Sequence, residues 1–336
     1  MSFNTISKFM PIDNPQLVLV GSDNINSFDC YSVAFPSLLE EDGEFFLYYT
    51  GAADKNWSFA SIGVATSKNL FEFRKKEFSI IEDQKNSKFS YEVVTPAITK
   101  IKSKYYLIFA GRKHRYDHRV LGIAYSDDPA GPFKIIDTMY KPSADWEGYS
   151  IDNGSTLIKL NEDELLIYYS NCAPSLKNII LRKPFIRKIG LLKIKIRGTK
   201  KNSIEVFSSK TPVLLNGPIG SWYESVFCPG YIYDRDSDKS YLFFASSTYS
   251  KRPITQNIGY ALIDSPYLMH RIGEPSQLLS AEDLQTLFDK KNLGFDSPCP
   301  MSHPHEEGKI VLFYSILDRS TNRWSILRNI LRINAC

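Results

Sequence analysis

Cysteine is scarce in this chain. Cys30, Cys172, Cys228, Cys299 and Cys336 are the whole set, an odd number with no Cys-x-x-Cys pair among them. That argues against a disulfide framework and against a structural zinc site of the usual spacing. Charge of one sign is also lacking: 41 Lys and Arg face 37 Asp and Glu, a net +4 in 336 residues. So small a surplus is no footprint for nucleic acid. No apolar run reaches the length of a membrane-spanning helix. The opening MSFNTISKFMPIDNPQLVLVG has no basic stretch leading into a long apolar one, so no secretory leader is read and a cytoplasmic location is expected. Helix signals are few. The best is SAEDLQTLFDKK at 280–291, with Ser280 as N-cap and Asp283 three residues on.

What is abundant is aromatic: 20 Tyr and 21 Phe, residues that favour strands. They recur in order. A short segment centred on Pro or Gly appears as AFPSLL (34–39), VTPAIT (94–99), DNGSTLI (152–158), FCPGYI (227–232) and PCPMSH (298–303). Turn residues follow it, and then an aromatic strand: EFFLYYTG (44–51), KYYLIFAG (104–111), ELLIYYSN (164–171), SYLFFASS (240–247) and KIVLFYSI (309–316). A third strand carries Ile-Gly or Leu-Gly: SIGVATS (61–67), VLGIAYS (120–126), KIGLLKI (188–194) and NIGYALI (257–263), with WSILRNI (324–330) as the fifth copy without Gly. A fourth strand follows in the early copies, as FEFRKK (71–76) and GPFKII (131–136).

Counted from Pro36 through Pro96, Gly154 and Pro229 to Pro300, the units are 60, 58, 75 and 71 residues long. Five units of four short strands describe an all-β, five-bladed propeller around a central channel. The whole chain 1–336 reads as one such domain. Its blades span roughly 28–80, 89–140, 146–215, 222–275 and 295–336, and LVLV at 17–20 closes the last one. The first strand of each unit is expected innermost, so residues just before it reach the channel mouth.

Two segments carry a family likeness. SIDNGSTLIKLNEDELLIYYS (150–170) is similar to the "IDPxxFxDDDGxxYLYYG" blade of the five-bladed glycoside hydrolases of the family 43 and family 32 type clan. GIAYSDDPAGPFKI (122–135) resembles that clan's "xxSxxPxGPF" blade ending, and mannoside phosphorylases are its more distant cousins. The likeness implies carboxylates in the funnel: one protonated to assist the leaving oxygen, and one ionised to activate water or attack the sugar. A third holds the acid's pKa up by like-charge repulsion.

The acids at or before the inner strands are Asp29, Glu92, Glu147, Asp152, Glu224 and Asp296. By resemblance Asp152 matches the clan's pKa-tuning Asp, and Glu224 lies in the blade of its general acid. Blade one has Phe35 where the clan has Asp, and Asp29 is the nearest substitute. Asp29, Asp152 and Glu224 are thus the catalytic expectation. Glu92 and Asp296 are expected to bind substrate. The clan's occasional channel calcium points to His303, beside His305, as a metal ligand; no other cofactor is implied.

Basic residues cluster twice. GRKHRYDHR (111–119) contributes Arg112, His114 and Arg115 as candidate contacts to an anionic sugar. Residues 177–201 hold ten Lys or Arg and no acid, leaving −6 for the rest of a +4 chain. Part of this is an alternating strand with one wet face. An inserted loop near 172–187 could meet an anionic glycan, a membrane surface or a protein partner. The expected function is hydrolysis of a glycosidic bond. The alternatives are phosphorolysis or glycosyl transfer, using the 112–119 cluster, or carbohydrate binding without turnover.

Overall fold

The computed structural model describes residues 8–334 except 175–178, 182–184, 214–215, 236, 251–253, 266–270 and 284–292. Two short N-terminal strands, β1 (Phe9–Pro11) and β2 (Gln16–Leu19), precede the first blade. Blade one is β3 (Ser32–Glu41), β4 (Glu44–Ala52), β5 (Ser61–Ser67) and β6 (Arg74–Lys75). Blade two is β8 (Glu92–Ile101), β9 (Lys104–Arg112), β10 (Val120–Ser126) and β11 (Phe133–Tyr140), with the two-residue β7 (Ile81–Glu82) parallel to β11. Blade three is β12 (Ser150–Lys159), β13 (Glu164–Ala173), β14 (Ile189–Ile196) and β15 (Ile204–Ser208). Blade four is β16 (Ser225–Asp234), β17 (Lys239–Ser247), β18 (Gln256–Ile263) and β19 (Arg271–Leu279). Blade five is β20 (Leu293–Ser302), β21 (Lys309–Asp318) and β22 (Arg323–Ile333); β1 and β2 both pair with β22 and complete it. The five-bladed propeller expected from the repeat is therefore the observed fold, ring closure by the N-terminal strand included. Of the expected helix only its start is described, where Ser280 Oγ accepts the Asp283 N–H at 3.0 Å; residues 284–292 lie outside the described residues.

Each element of the repeat has a physical cause. The Ile-Gly glycine sits beneath an aromatic ring. A Cβ on Gly63 would stand 2.7 Å from Phe28 and 2.6 Å from Tyr49; on Gly122, 2.7 Å from Phe89; on Gly190, 2.5 Å from Trp146; on Gly259, 2.6 Å from Trp222. Only hydrogen fits there, so in these four blades an aromatic ring lies against the third strand.

The Pro or Gly segment is a β-bulge in each inner strand. Register slips between Ala34 and Ser37, Val94 and Ala97, Asn153 and Leu157, Phe227 and Gly230, and Asp296 and Cys299. In four blades the residue before the bulge proline takes positive φ: Phe35, Thr95, Cys228 and Ser297. This corrects the repeat count, because the fifth landmark is Pro298 and not Pro300, and the last spacing becomes 69 residues.

Bulged N–H groups need acceptors outside their own ladder. Hydroxyls at one second-strand position of the preceding blade supply three of them. Ser315 accepts Phe35 N–H at 2.8 Å, Thr50 accepts Thr95 N–H at 3.0 Å and Ser170 accepts Cys228 N–H at 3.3 Å. Across the axis, Ser37 Oγ donates to the Ser155 carbonyl at 2.8 Å and Ser155 Oγ to the Pro298 carbonyl at 2.6 Å. Between Phe35, Pro36, Thr95, Pro96, Gly154, Cys228 and Ser297 only about 10 Å³ of void remains, about one water. The bulges thus close on one another at the axis.

Candidate active site

The mouth where the inner strands begin gathers charge from four blades. The register explains which residues arrive there. Asp152 and Asp296 occupy the same place in blades three and five, opposite Ser170 and Ser315 of the second strands. Arg119 and Arg187 are also equivalent, each three residues before the third-strand glycine. The backbone N–H of Arg119 donates to Ser150 Oγ at 3.1 Å, and that of Arg187 to Ser225 Oγ at 2.9 Å, which docks each blade on the next. The loop carrying each arginine is thereby fixed by the inner strand it serves.

Glu92, fully buried, receives Arg119 Nε and lies 2.8 Å from Arg112 Nε, an off-line ion pair supplemented by Arg112 Nη2 donating to Glu92 Oε2 at 3.1 Å. Arg119 Nη1 reaches Asp152 Oδ1 at 2.9 Å, and Arg187 Nη2 reaches Asp152 Oδ2 at 3.2 Å. Arg187 also lies over the Phe227 ring at 4.2 Å. The sequence runs Glu92, Arg119, Asp152, Arg187 as alternating charges, with Arg112 at one end.

Asp296 stands at the other end. Burial pushes its carboxyl up, and the charge of Asp152 adds to this; Arg187, the Cys228 thiol and Ser297 pull the other way without cancelling it. Its Oδ1 accepts Ser297 Oγ at 2.9 Å. No Lys or Arg stands within ion-pair distance of Asp296 among the described residues. One carboxylate clamped between two guanidinium groups and one buried carboxyl of raised pKa thus face the same arginine. Burial likewise pushes up the thiols of Cys172 and Cys228, which adjoin Asp152 and Asp296.

The other expected residues fall elsewhere. Asp29 is inside blade one, where it takes Lys75 Nζ at 2.8 Å and the Tyr49 hydroxyl at 3.0 Å. Glu147 holds the equivalent place in blade three and receives the hydroxyls of Tyr140 and Tyr169. The pair is a blade clasp, seven residues before each landmark, and neither carboxylate belongs to the charged cluster. Glu224 is buried beside it. Asn216 Nδ2 bridges the carbonyls of Arg187 and Glu224 at 2.8 and 2.9 Å, Glu224 Oε2 accepts Gly220 N–H at 2.9 Å and Ser250 Oγ, and among the described residues Oε1 has no hydrogen-bond partner.

His114 and Arg115 sit on an exposed turn, with His114 N–H donating to Asp117 at 3.0 Å and Arg115 over Tyr116. Of the three basic residues expected to bind substrate, Arg112 alone enters the cluster. His303 follows the far end of β20 and lines a cavity of about 590 Å³ on the opposite face. It pairs with Glu306 at 3.5 Å, and burial lowers its pKa. A channel calcium at His303 does not fit this placement, and among the described residues no three His, Cys, Asp or Glu stand together to hold a metal.

Arg119 and Arg187 were the residues sequence reading passed over, the first hidden in a basic loop and the second counted with the basic insertion. Their common offset from the Ile-Gly landmark is the signal that finds them. Elsewhere in the basic stretch 177–201, Lys193 and Lys195 pair with Glu164, and Lys201 with Asp137. Among the described residues no helix is long and apolar enough to cross a membrane.

No protein-family model matches the chain. A curated 1,2-beta-oligomannan phosphorylase from Thermoanaerobacter sp. (strain X514) is 26% identical over 162 residues, 48% of this chain. The match spans about half (49%) of that relative's length. Among solved structures, a thermostable family-43 glycoside hydrolase superposes with a TM-score of 0.66 at 19% identity, covering 95% of this chain and 96% of its own. An endo-arabinase from Bacteroides thetaiotaomicron VPI-5482 gives 0.59 at 15% identity over 96% and 98% of the two chains. An alpha-L-arabinofuranosidase from Lactobacillus brevis gives 0.59 at 13% identity over 93% and 94%. The chain has the five-bladed β-propeller fold of the family-43 glycoside hydrolases.

Proposed function

We propose that the chain cleaves a glycosidic bond by hydrolysis, with Asp296 as the proton donor and Asp152 as the ionised carboxylate facing the sugar. The observation that carries this is the unequal treatment of two equivalent aspartates around Arg187: one clamped by two arginines, one buried without an ion pair. Divergent environments for paired carboxyls are how acid and base roles are divided. Asp296 delivers its proton to the leaving oxygen. Asp152 stabilises positive charge on the sugar carbon, and Arg119 and Arg187 fix where its oxygens point. Glu224 Oε1, buried and without a hydrogen-bond partner among the described residues, is a further carboxyl oxygen beside the cluster and the candidate to receive a proton from water.

Phosphorolysis is the second reading. It is favoured by three arginines at one mouth, which suit an anionic acceptor, and by the activity named for the curated relative. The deciding experiment offers 1,2-β-mannooligosaccharides, arabino-oligosaccharides and aryl glycosides to the protein with and without inorganic phosphate, and identifies products by chromatography. Free sugar formed equally in both supports hydrolysis. Sugar phosphate formed only with phosphate replaces it with the second reading. No turnover of any probe, at any Asp296 state, sinks both.

A further inference from the structure

A fourth arginine reaches the mouth from blade five, and no carboxylate meets it. Arg319 directly follows β21, whose last residue, Asp318, lies opposite Leu293 at the start of β20. Its Nη2 donates to Gln256 Oε1 at 2.6 Å. Among the described residues it has no ion pair. The neighbouring carboxylate, Asp318, is turned to its own loop, where Oδ1 accepts the Ser320 N–H at 2.9 Å.

The repeat shows that this place is built. Gln256 stands three residues before Gly259, as Arg119 stands before Gly122 and Arg187 before Gly190. At three blade junctions the residue in this place docks its backbone N–H on a serine four residues before the next landmark. Arg119 docks on Ser150, Arg187 on Ser225, and Trp324 on Ser32 at 3.0 Å. In blade five the serine position is Gly294. A Cβ there would stand 2.5 Å from Gln256 Oε1 and 3.3 Å from Arg319 Nη2. The docking side chain is missing where the amide and the guanidinium need the room.

Arg112, Arg119 and Arg187 are committed to carboxylates of the protein. Arg319 uses one of its N–H donors on a neutral amide and keeps the rest of the fork open. Its tip is exposed, yet protein around it lowers its pKa by desolvation. A charge stripped of water with no counter-charge is costly, and an anion brought by a ligand would offset that cost. Arg319 is also continuous with the cluster, because Tyr249, half-buried after β17, stands near both Arg187 and Arg319. Gly294 and Asp296 share one face of β20, about 7 Å apart along the strand. One sugar residue can therefore present an oxygen to Asp296 and a charged substituent to Arg319.

We propose that Arg319, held by Gln256 over Gly294, binds an acidic group carried by the sugar itself, a carboxylate or a phosphate monoester, so that the substrate is an anionic glycan. The proposal rests on the glycosidic reading and deepens it by naming the charge of the substrate.

Titration calorimetry with matched sugars tests it: glucose, glucuronate and glucose 6-phosphate, the corresponding mannose set, and inorganic phosphate alone. One acidic sugar should bind saturably, about tenfold or more tightly than its neutral parent. Whether it is the uronate or the phosphate ester tells the two sources of charge apart. Arg319→Gln should lose about ten- to a hundredfold of that affinity. Arg319→Lys should lose less, since it keeps the charge without the fork. Melting curves of wild type and both variants separate lost binding from lost folding. A neutral parent bound as tightly as its acid overturns the anchor, as does Arg319→Gln binding the acidic sugar like wild type. Inorganic phosphate bound as tightly as the sugar phosphate also overturns it, because the site would then take a free anion. No binding of any probe does the same. Turnover keeps the two ideas apart. If acidic sugars bind through Arg319 but neither acidic nor neutral oligosaccharides are cleaved, the glycosidic reading falls and the anchor stands. If neutral and acidic oligosaccharides are cleaved with equal kcat/KM, the anchor falls and the reading stands.

Discussion

In the proposed hydrolysis Asp296 concentrates the chemistry at the scale of single residues. Replacing it with Asn removes the transferable proton and leaves the shape, so turnover should fall by roughly 10²–10⁴-fold, the usual worth of a general acid. Steady-state rates against a leaving group that needs no protonation, such as a nitrophenol, should fall much less. The raised pKa fixes the sign of the pH dependence. Activity needs the protonated carboxyl, so rate should decline as pH rises through the Asp296 pKa, and that descending limb should vanish in Asp296→Asn. Stability moves the same way. Between the unfolded carboxyl value of about 3.9 and the higher folded one, the native state binds more protons than the unfolded chain. Asp296 therefore contributes stability below the unfolded value and loses it as pH rises through the folded one. At pH 7 Asp296→Asn should raise the melting temperature; a lower one would show the carboxylate to be stabilising.

Asp152, Asp296 and Arg112 were all legible as candidates, because acids before an inner strand stand out in the sequence. Asp29 was legible for the same reason and landed elsewhere. Proximity along the chain cannot tell a channel position from a clasp position, whereas the offset from the bulge can. Seven residues before the landmark means a tyrosine partner; two means the mouth in blades three and five.

Single elements explain why the repeat was readable at all. A third-strand glycine is demanded by the ring above it, so Gly259→Ala would drive a Cβ into the Trp222 ring and to 2.9 Å from the Ser276 carbonyl. Overpacking of this kind costs about 1–3 kcal/mol, and a urea midpoint lowered without a change of slope is the expected record. A midpoint equal to wild type would mean that Trp222 can move away freely. The absence of this glycine from the fifth unit was visible in the sequence, and its blade is the one built from two chain ends. The misplaced landmark at Pro300 has an equally local origin: PCP offers two prolines, and only hydrogen-bond register shows that the bulge is at Pro298.

At the scale of the whole molecule the ring is closed without a covalent bond. Phe9 of β1 is the wedge. It is 1% exposed and meets Tyr241 and Tyr260 edge-on at 4.8 Å and Phe243 at 5.1 Å, so it pins blade five to blade four. Lys8 adds an ion pair to Asp234 at 3.4 Å. Phe9→Ala should cost about 3–5 kcal/mol and appear in urea unfolding as an earlier, still single transition. A second transition would reveal blades that unfold separately. LVLV was legible as the closing strand from its place ahead of the first unit; the wedge at Phe9 was not, because its partners lie some 230 to 250 residues away.

The stitched shaft has one more consequence, and it concerns traffic. Serine hydroxyls and bulge prolines meet across the axis, so the mouth is a cul-de-sac. Whatever enters must back out by the same door, and the piece released nearest the plug leaves last. Turnover on short oligomers should then be set by how fast the innermost fragment departs, which makes that fragment, added in excess, the natural inhibitor to look for.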